Sequence, residues 1–248
     1  MARVSVHKMI LLRDTHYHAR AFDEMERAIS SMTSRPIVFN AHNTTAPPGS
    51  ILYNTERLER VYGWQSIYEG HTVWEISKSQ LTLYNPCPAI TVTHAPMGYH
   101  PSMECLSWSL QSEKPVDILF FGSLNPRRLH ILHQLSKAGL NVVVPPDYET
   151  RDALIEKSKL ILNIHYYGDH TTEFSEVPRL SHVAANGVPF LSELSLDDAD
   201  YPWLPEGCLY GDICEKTISM LKDPEALARL GTQTREAFQR CPWVLPTT

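Results

Sequence analysis

The sequence predicts an α/β protein made of two open sheets, and three observations predict it. Apolar runs too short for helices recur along the chain, amphipathic helical stretches separate them, and Gly, Pro, Asn or Ser residues stand where the runs end. In the N-terminal half, Val4–Leu12, Ile37–Asn40, Ser50–Tyr53, Thr72–Ile76 and Ile90–His94 read as strands and Ala19–Ser31 as a helix. A hinge is expected in the polar stretch 107–115, which divides the chain into domains 1–110 and 111–248.

The second half reads β-α-β-α. Val116–Phe121 is a continuous apolar run that ends on Gly122-Ser123-Leu124-Asn125-Pro126, the pattern of a buried strand turning into a helix start. Arg127–Ala138 carries Leu129, Leu132 and Leu135 at helical spacing and stops at Gly139. Leu140–Val144 is the next strand and Arg151–Ser158 a helix. Leu160–Ile164 is another buried strand, opening onto His165-Tyr166-Tyr167-Gly168 and a polar loop from Asp169 to Phe174. Glu176–Ala185 is a helix stopped by Asn186-Gly187, Pro189–Leu191 a strand, and Asp212–Gln239 two helices broken near Asp223-Pro224. Two such Rossmann-like sheets facing across a cleft place a ligand at the carboxyl ends of their strands.

Composition narrows the function classes. The 248 residues are 43% hydrophobic and 20% charged, which is globular rather than disordered. A net charge of −6 withholds the cationic surplus of a dedicated nucleic-acid or anionic-membrane binder. No apolar run approaches a membrane span and the N-terminus lacks a signal-like stretch, so a cytoplasmic location is expected. The five cysteines, Cys87, Cys105, Cys208, Cys214 and Cys241, are scattered and are read as reduced thiols. No Cys, His or carboxylate set completes a recognisable metal site, and His130/His133 is read as a helix surface.

The most pointed chemical feature is the turn Gly122-Ser123 followed by Pro126-Arg127-Arg128. Backbone N–H groups, a hydroxyl, a helix N-terminus and two guanidiniums converge there, as binding of a diphosphate requires. The same residues also suit a plain turn with solvated arginines. His165, Tyr166 and Tyr167 stand at a strand's carboxyl end and can wall a base or sugar pocket, or pack the sheet edge. Glu176 and Arg179 share a helix face, where the carboxylate can meet ribose hydroxyls and Arg179 phosphate; a simple ion pair is the alternative. His182 lies one turn further along that face. Neither G-x-G-x-x-G nor G-x-x-x-x-G-K-[ST] occurs, so dinucleotide oxidoreductases and P-loop nucleotidases recede. Asp198-Ala199-Asp200 imitates a D-x-D metal motif, but as an acidic loop in the nucleotide half it is read as solvated.

The runs FFGSLNPRRLHIL, ALIEKSKLILNIHYY and EVPRLSHVAANGVPFLSE, in this order and spacing, resemble the C-terminal, nucleotide-sugar-binding half of a bacterial and phage group of glycosyltransferases with the GT-B fold. PPGSILYNTERL and HAPMGYHPSMECL resemble that group's N-terminal half and domain junction, so the similarity covers most of the chain. The resemblance implies a donor diphosphate on Gly122, Ser123 and the arginines that follow, and Glu176 on the ribose. Better-known members carry an E-x7-E pattern here. This sequence departs from it, the second glutamate falling near His182, which leaves the sugar contact and the stereochemical course open.

The expected activity is therefore transfer of a sugar from a nucleoside-diphosphate sugar to an acceptor hydroxyl, with no cofactor or metal beyond the donor itself. Growing charge on the leaving diphosphate falls to the arginines and the helix N-terminus. A general base, if configuration inverts, comes from the other domain, where Asp14, His16 and His42 are the candidates. The acceptor is open: a small molecule, a glycan or modified DNA. A non-catalytic nucleotide-sugar-binding protein and a phage-type enzyme acting on modified DNA bases are the competing readings.

Overall fold

The computed structural model describes residues 23–41, 46–110, 114–147, 150–168, 173–204, 209–210 and 212–247. It divides into two units, Met1–Pro96 with Val244–Thr248, and Met97–Trp243.

In the first unit, helix α1 (Asp23–Met32) buries Met25, Ala28 and Ile29, and its acidic first turn suits the helix dipole. Strands β1 (Ile37–Phe39), β2 (Ile51–Asn54), β3 (Thr72–Glu75) and β4 (Thr91–His94) form a fully parallel sheet in the order β1-β2-β3-β4. Parallel neighbours need crossovers. The β2–β3 crossover contains helix α2 (Trp64–Tyr68), and the β3–β4 crossover a 3-10 segment, Lys78–Tyr84. Trp64, Tyr68 and Tyr84 from these crossovers close over Val38, Leu52 and Val73 of the sheet. The strand expected at Val4–Leu12 and the start of the expected N-terminal helix lie outside the described residues.

The second unit contains β5 (Val116–Leu119), α3 (Pro126–Lys137), β6 (Val142–Val143), α4 (Arg151–Glu156), β7 (Ser158–Asn163), α5 (Val177–Ala185), β8 (Phe190–Glu193), β9 (Leu209–Tyr210), α6 (Ile213–Leu221) and α7 (Pro224–Gln239). Its five strands are all parallel, in the order β6-β5-β7-β8-β9. The chain runs outward from β5 to β6 and then returns to the other side of β5, so the winding reverses between β5 and β7. That reversal opens a crevice at the carboxyl ends of those two strands. Ile118, Leu119, Phe120, Leu160, Ile161, Leu162, Phe190 and Leu191 are buried, which explains why these strands read as unbroken apolar runs.

Helix starts follow local chemistry. Asn125 caps α3 by accepting the Arg128 N–H at 2.8 Å, with Pro126 in the first turn. Asp223 caps α7 in the same manner through Ala226 N–H at 2.9 Å.

The break between units falls at Pro96/Met97, N-terminal to the polar stretch 107–115. Residues 97–108 belong with the second unit because its groups hold their backbone and side chains. The Asn186 side chain accepts the N–H groups of Cys105 and Leu106 at 2.8 Å each, Glu156 accepts Ser107 N–H at 2.6 Å, and the Trp108 indole donates to Ser158 O at 2.9 Å.

Candidate functional site

The inward face of α3 is not the one its leucines suggest. Leu132 and Leu135 are buried as expected, but Leu129 is half-exposed and Arg128 takes the inward position, only 3% exposed. A guanidinium taken out of water needs acceptors for its donors. Arg128 finds three: Nε donates to Ile164 O at 2.8 Å, Nη1 to Ser123 O at 2.8 Å and Nη2 to Glu176 Oε1 at 2.7 Å. Its Cζ lies over the rings of Phe120 and Tyr166, 5.2 and 5.3 Å from their centroids. The carbonyls come from the turn after β5 and from the residue just past β7, so the arginine is held at the carboxyl side of those strands and is not solvated.

Glu176 bridges two arginines. Its second oxygen pairs with Arg179, whose Nη1 donates to Asn163 Oδ1 at 2.5 Å at the end of β7. The ion pair within the helix and the convergence on the crevice are thus one arrangement. Burial works to raise the Glu176 carboxyl, but Arg179 and Arg128 outweigh it and hold the group below the usual carboxylate range. Burial draws the Arg128 guanidinium down from its ordinary value, and the Glu176 charge opposes that. A Cβ at Gly122 would stand 2.6 Å from Arg179 Nη2, the far end of a flexible side chain.

Arg127 makes the other half of the site. Its two terminal nitrogens grip Glu193 in a bidentate pair, and Nη1 also donates to His165 O at 2.8 Å. Gly168, with φ of +83°, passes so close that a Cβ would meet Arg127 Nε at 2.0 Å. A groove of about 600 Å³ opens beside the pair, lined by Ile131, Gln134, Lys137, Glu193, Ile213 and Cys214 among others.

His165 is buried and belongs to the scaffold rather than to an exposed wall. Its backbone N–H donates to Glu193 Oε2 at 2.7 Å, and Nε2 lies 3.1 and 2.9 Å from the carbonyls of Glu193 and Leu194. Two carbonyl acceptors place the proton on Nε2. Nδ1 is buried with no hydrogen-bond partner among the described residues. Tyr166 and Tyr167, in edge-to-face contact at 4.8 Å, remain exposed at the carboxyl edge with Leu124, Leu194 and Leu196.

His182 does not join the wall formed by Glu176 and Arg179. Helix α5 is buried nearly all round, and His182, wholly buried, turns its Nε2 to Asp152 Oδ1 of α4 at 3.1 Å. Ser123 is exposed at the turn, contributing its carbonyl to Arg128. His130 and His133 are exposed on α3. Asp198 is a loop clasp, accepting Ser175 Oγ at 2.6 Å and Ser195 N–H at 2.8 Å. Its neighbour Asp197 accepts Ser175 N–H at 2.7 Å, and burial raises its carboxyl to about 6, against the pull of the Ser175 bonds. Asp14, His16 and His42 lie outside the described residues.

The sequence reading missed Asn163, Glu173 and Glu193. Asn163 and Glu193 are the last residues of β7 and β8, and a polar residue ending an apolar strand at the carboxyl edge is a readable signal. Glu173, buried just beyond the loop, is a carboxylate whose charge Arg128 senses, and no spacing pointed to it. The site therefore holds three guanidiniums beside three carboxylates and the N-terminus of α3. It can bind an anion by exchange, a ligand oxygen replacing a carboxylate oxygen on an arginine.

No family model matches the chain. Two uncharacterized proteins of Acanthamoeba polyphaga mimivirus are similar to it, one 32% identical over 120 residues, 46% of this chain and 13% of the relative, the other 28% identical over 187 residues, 70% and 59%. The chain thus spans only part of the length of either relative. Among solved structures, S. aureus TarM in complex with fondaparinux, alpha-GlcNAc-glycerol and UDP is similar over 82% of this chain and 52% of that one, with 11% identity and a TM-score of 0.55. AviGT4, a glycosyltransferase involved in avilamycin A biosynthesis, overlaps 92% of this chain and 88% of its own, with 11% identity and a TM-score of 0.48. The likeness to TarM shows a shared α/β fold with parallel sheets. Among the described residues, no helix is long and apolar enough to cross a membrane.

Proposed function

We propose that the chain is a GT-B-type glycosyltransferase that moves a sugar from a nucleoside-diphosphate sugar to an acceptor hydroxyl without a metal ion. The observation that carries the reading is the cluster of Arg127, Arg128 and Arg179 in the crevice where the β5–β7 winding reverses. That is where open parallel sheets bind ligands. The TarM structure, which contains UDP, supports it through the fold.

In this reading the diphosphate lies at the Gly122-Ser123 turn and the start of α3, and takes up guanidinium donors that Glu176 and Glu193 now occupy. Negative charge builds on the diphosphate as the glycosidic bond breaks, and preorganised guanidiniums stabilise it without reorganising at that moment. Glu176 turns to the ribose hydroxyls, and Tyr166 and Tyr167 flank the base or sugar. A base for the acceptor hydroxyl is drawn from Asp14, His16 or His42 of the first unit. The acceptor is a small molecule, a glycan or modified DNA, and the protein acts in the cytoplasm.

Calorimetric titration with UDP, GDP, ADP and dTDP, with and without EDTA, tests the donor site. One diphosphate should bind, unaffected by EDTA, and Arg127→Ala should weaken it at least tenfold with the fold intact by circular dichroism. Failure of all four to bind removes the reading. Binding without donor hydrolysis or transfer on prolonged incubation would assign a non-catalytic binding protein instead.

A further inference from the structure

Away from the arginine cluster, three segments of the second unit bring together a thiol, an imidazole and a carboxylate. Asn186, which closes α5, fixes the backbone around Cys105: it accepts the N–H groups of Cys105 and Leu106 at 2.8 Å each and donates to Met103 O at 3.0 Å. The same amide donates to His182 O at 2.8 Å, one turn back on α5. One side chain thereby sets the register of Cys105 against His182. The His182 ring in turn reaches Asp152 at the start of α4, with Nε2 3.1 Å from Oδ1.

Ligand-capable atoms of Cys105, Asp152 and His182 all lie within 4.8 Å of one another. Cys105 is exposed, Asp152 partly exposed and His182 buried, so the group has a solvent-facing entrance and a fixed floor. Asp152 Oδ1 accepts from Arg151 Nε at 2.8 Å and lies 3.1 Å from His182 Nε2.

We infer that Cys105, His182 and Asp152 bind a divalent cation of zinc's class, which pins the 97–110 connector to α4 and α5. Thiolate, imidazole and carboxylate are the donors such an ion takes, whereas magnesium and calcium take oxygen alone. A tetrahedral ion sets its ligand atoms roughly 3.5 Å apart, a separation that atoms all within 4.8 Å of one another reach by small side-chain adjustments. Water fills the fourth position. Binding converts the Cys105 thiol to a thiolate, releases its proton to solvent, and lets two anionic ligands neutralise the ion's charge; nothing is oxidised or reduced. The site contains none of the arginines assigned to the donor and does not depend on the transferase reading.

The test is titration of the full, reduced chain with Co²⁺, followed by the near-ultraviolet thiolate-to-cobalt absorption band and, in parallel, by the unfolding temperature with Zn²⁺. One equivalent should produce the band. Cys105→Ser should abolish it, Asp152→Asn should weaken binding at least tenfold, and Zn²⁺ should raise the unfolding temperature of the parent chain but not of Cys105→Ser. Cys105 is exposed, so its serine variant is expected to fold, which far-ultraviolet circular dichroism checks. Absence of a thiolate band from the parent chain, or a band of full intensity in Cys105→Ser, would overturn the assignment.

Discussion

Arg128 Nη2 and Glu176 Oε1 meet at 2.7 Å across 48 residues of sequence, joining the first turn of α3 to the start of α5. The pair holds the crevice between β5 and β7 from both sides, and the arginine's other donors are spent on the strand ends.

Arg128 is one of two arginines on Glu176, so its loss leaves that carboxylate half-compensated. Arg128→Leu should leave Glu176 with Arg179 alone and strand the Ser123 and Ile164 carbonyls, lowering unfolding stability by about 3 kcal/mol. Arg128→Lys keeps the charge but cannot make three divergent bonds, and should lose about half as much. Urea denaturation midpoints at constant m-value measure both.

Gly122 and Gly168 separate crowding from strain. At Gly122 the obstructing atom is the end of the Arg179 side chain, which can swing away, so Gly122→Ala should cost under about 1 kcal/mol while breaking the Arg179–Asn163 bond. Gly168→Ala meets Arg127 Nε with the backbone in the left-handed region and should cost about 2 kcal/mol. Thermal unfolding ranks the two variants. Diphosphate titration should show weakened binding in both.

Two buried carboxyls make stability fall as pH rises. Burial raises Glu75 to about 7 and Asp197 to about 6, so between the unfolded values and these the native state binds more protons than the unfolded one. The slope of stability against pH is then negative, at most about 1.4 kcal/mol per pH unit for each group. Stability from these groups is complete below pH 4 and is lost as pH passes through 6 and 7. Asp197→Asn should flatten the lower part of the curve. Glu75→Gln should flatten the upper part but lower stability throughout, because Asn54, Tyr84, Gln80 and Ser77 all donate to the carboxylate and an amide opposes some of them with its own donors. Unfolding free energies from pH 4 to 8 decide this.

Asn186→Ala removes bonds to Cys105, Leu106, Met103 and His182 at once. It should cost about 3 kcal/mol, with buried acceptors left unpaired, and speed hydrogen exchange at residues 105 and 106 well before the strands.

Much of the second unit was legible because β5, β7 and β8 are largely buried on both faces, α3 and α7 begin with Pro, and Gly139 and Gly187 follow α3 and α5. What escaped notice was short or tertiary. Strand β9 has two residues and α2 five, too few for any period to register. Val116–Phe121 reads as one strand, yet the strand ends at Leu119. In the site, the Gly122 turn with Arg127 and Arg128 and the helix face of Glu176 and Arg179 are readable as two separate features, and it is the fold that brings them together. That Arg128 rather than Leu129 points inward is not readable, because its acceptors come from residues 123, 164 and 176. His182 sat correctly on the helical wheel but on the side that the fold covers with α4.

The self-neutralised state of the arginines has a thermodynamic consequence. An incoming anion does not find bare cations; it must outbid Glu176 and Glu193 for bonds already made. On the proposed donor reading, occupancy would be a swap between two sets of counter-ions. The carboxylates meanwhile spare the crevice the energetic penalty of unmatched charge.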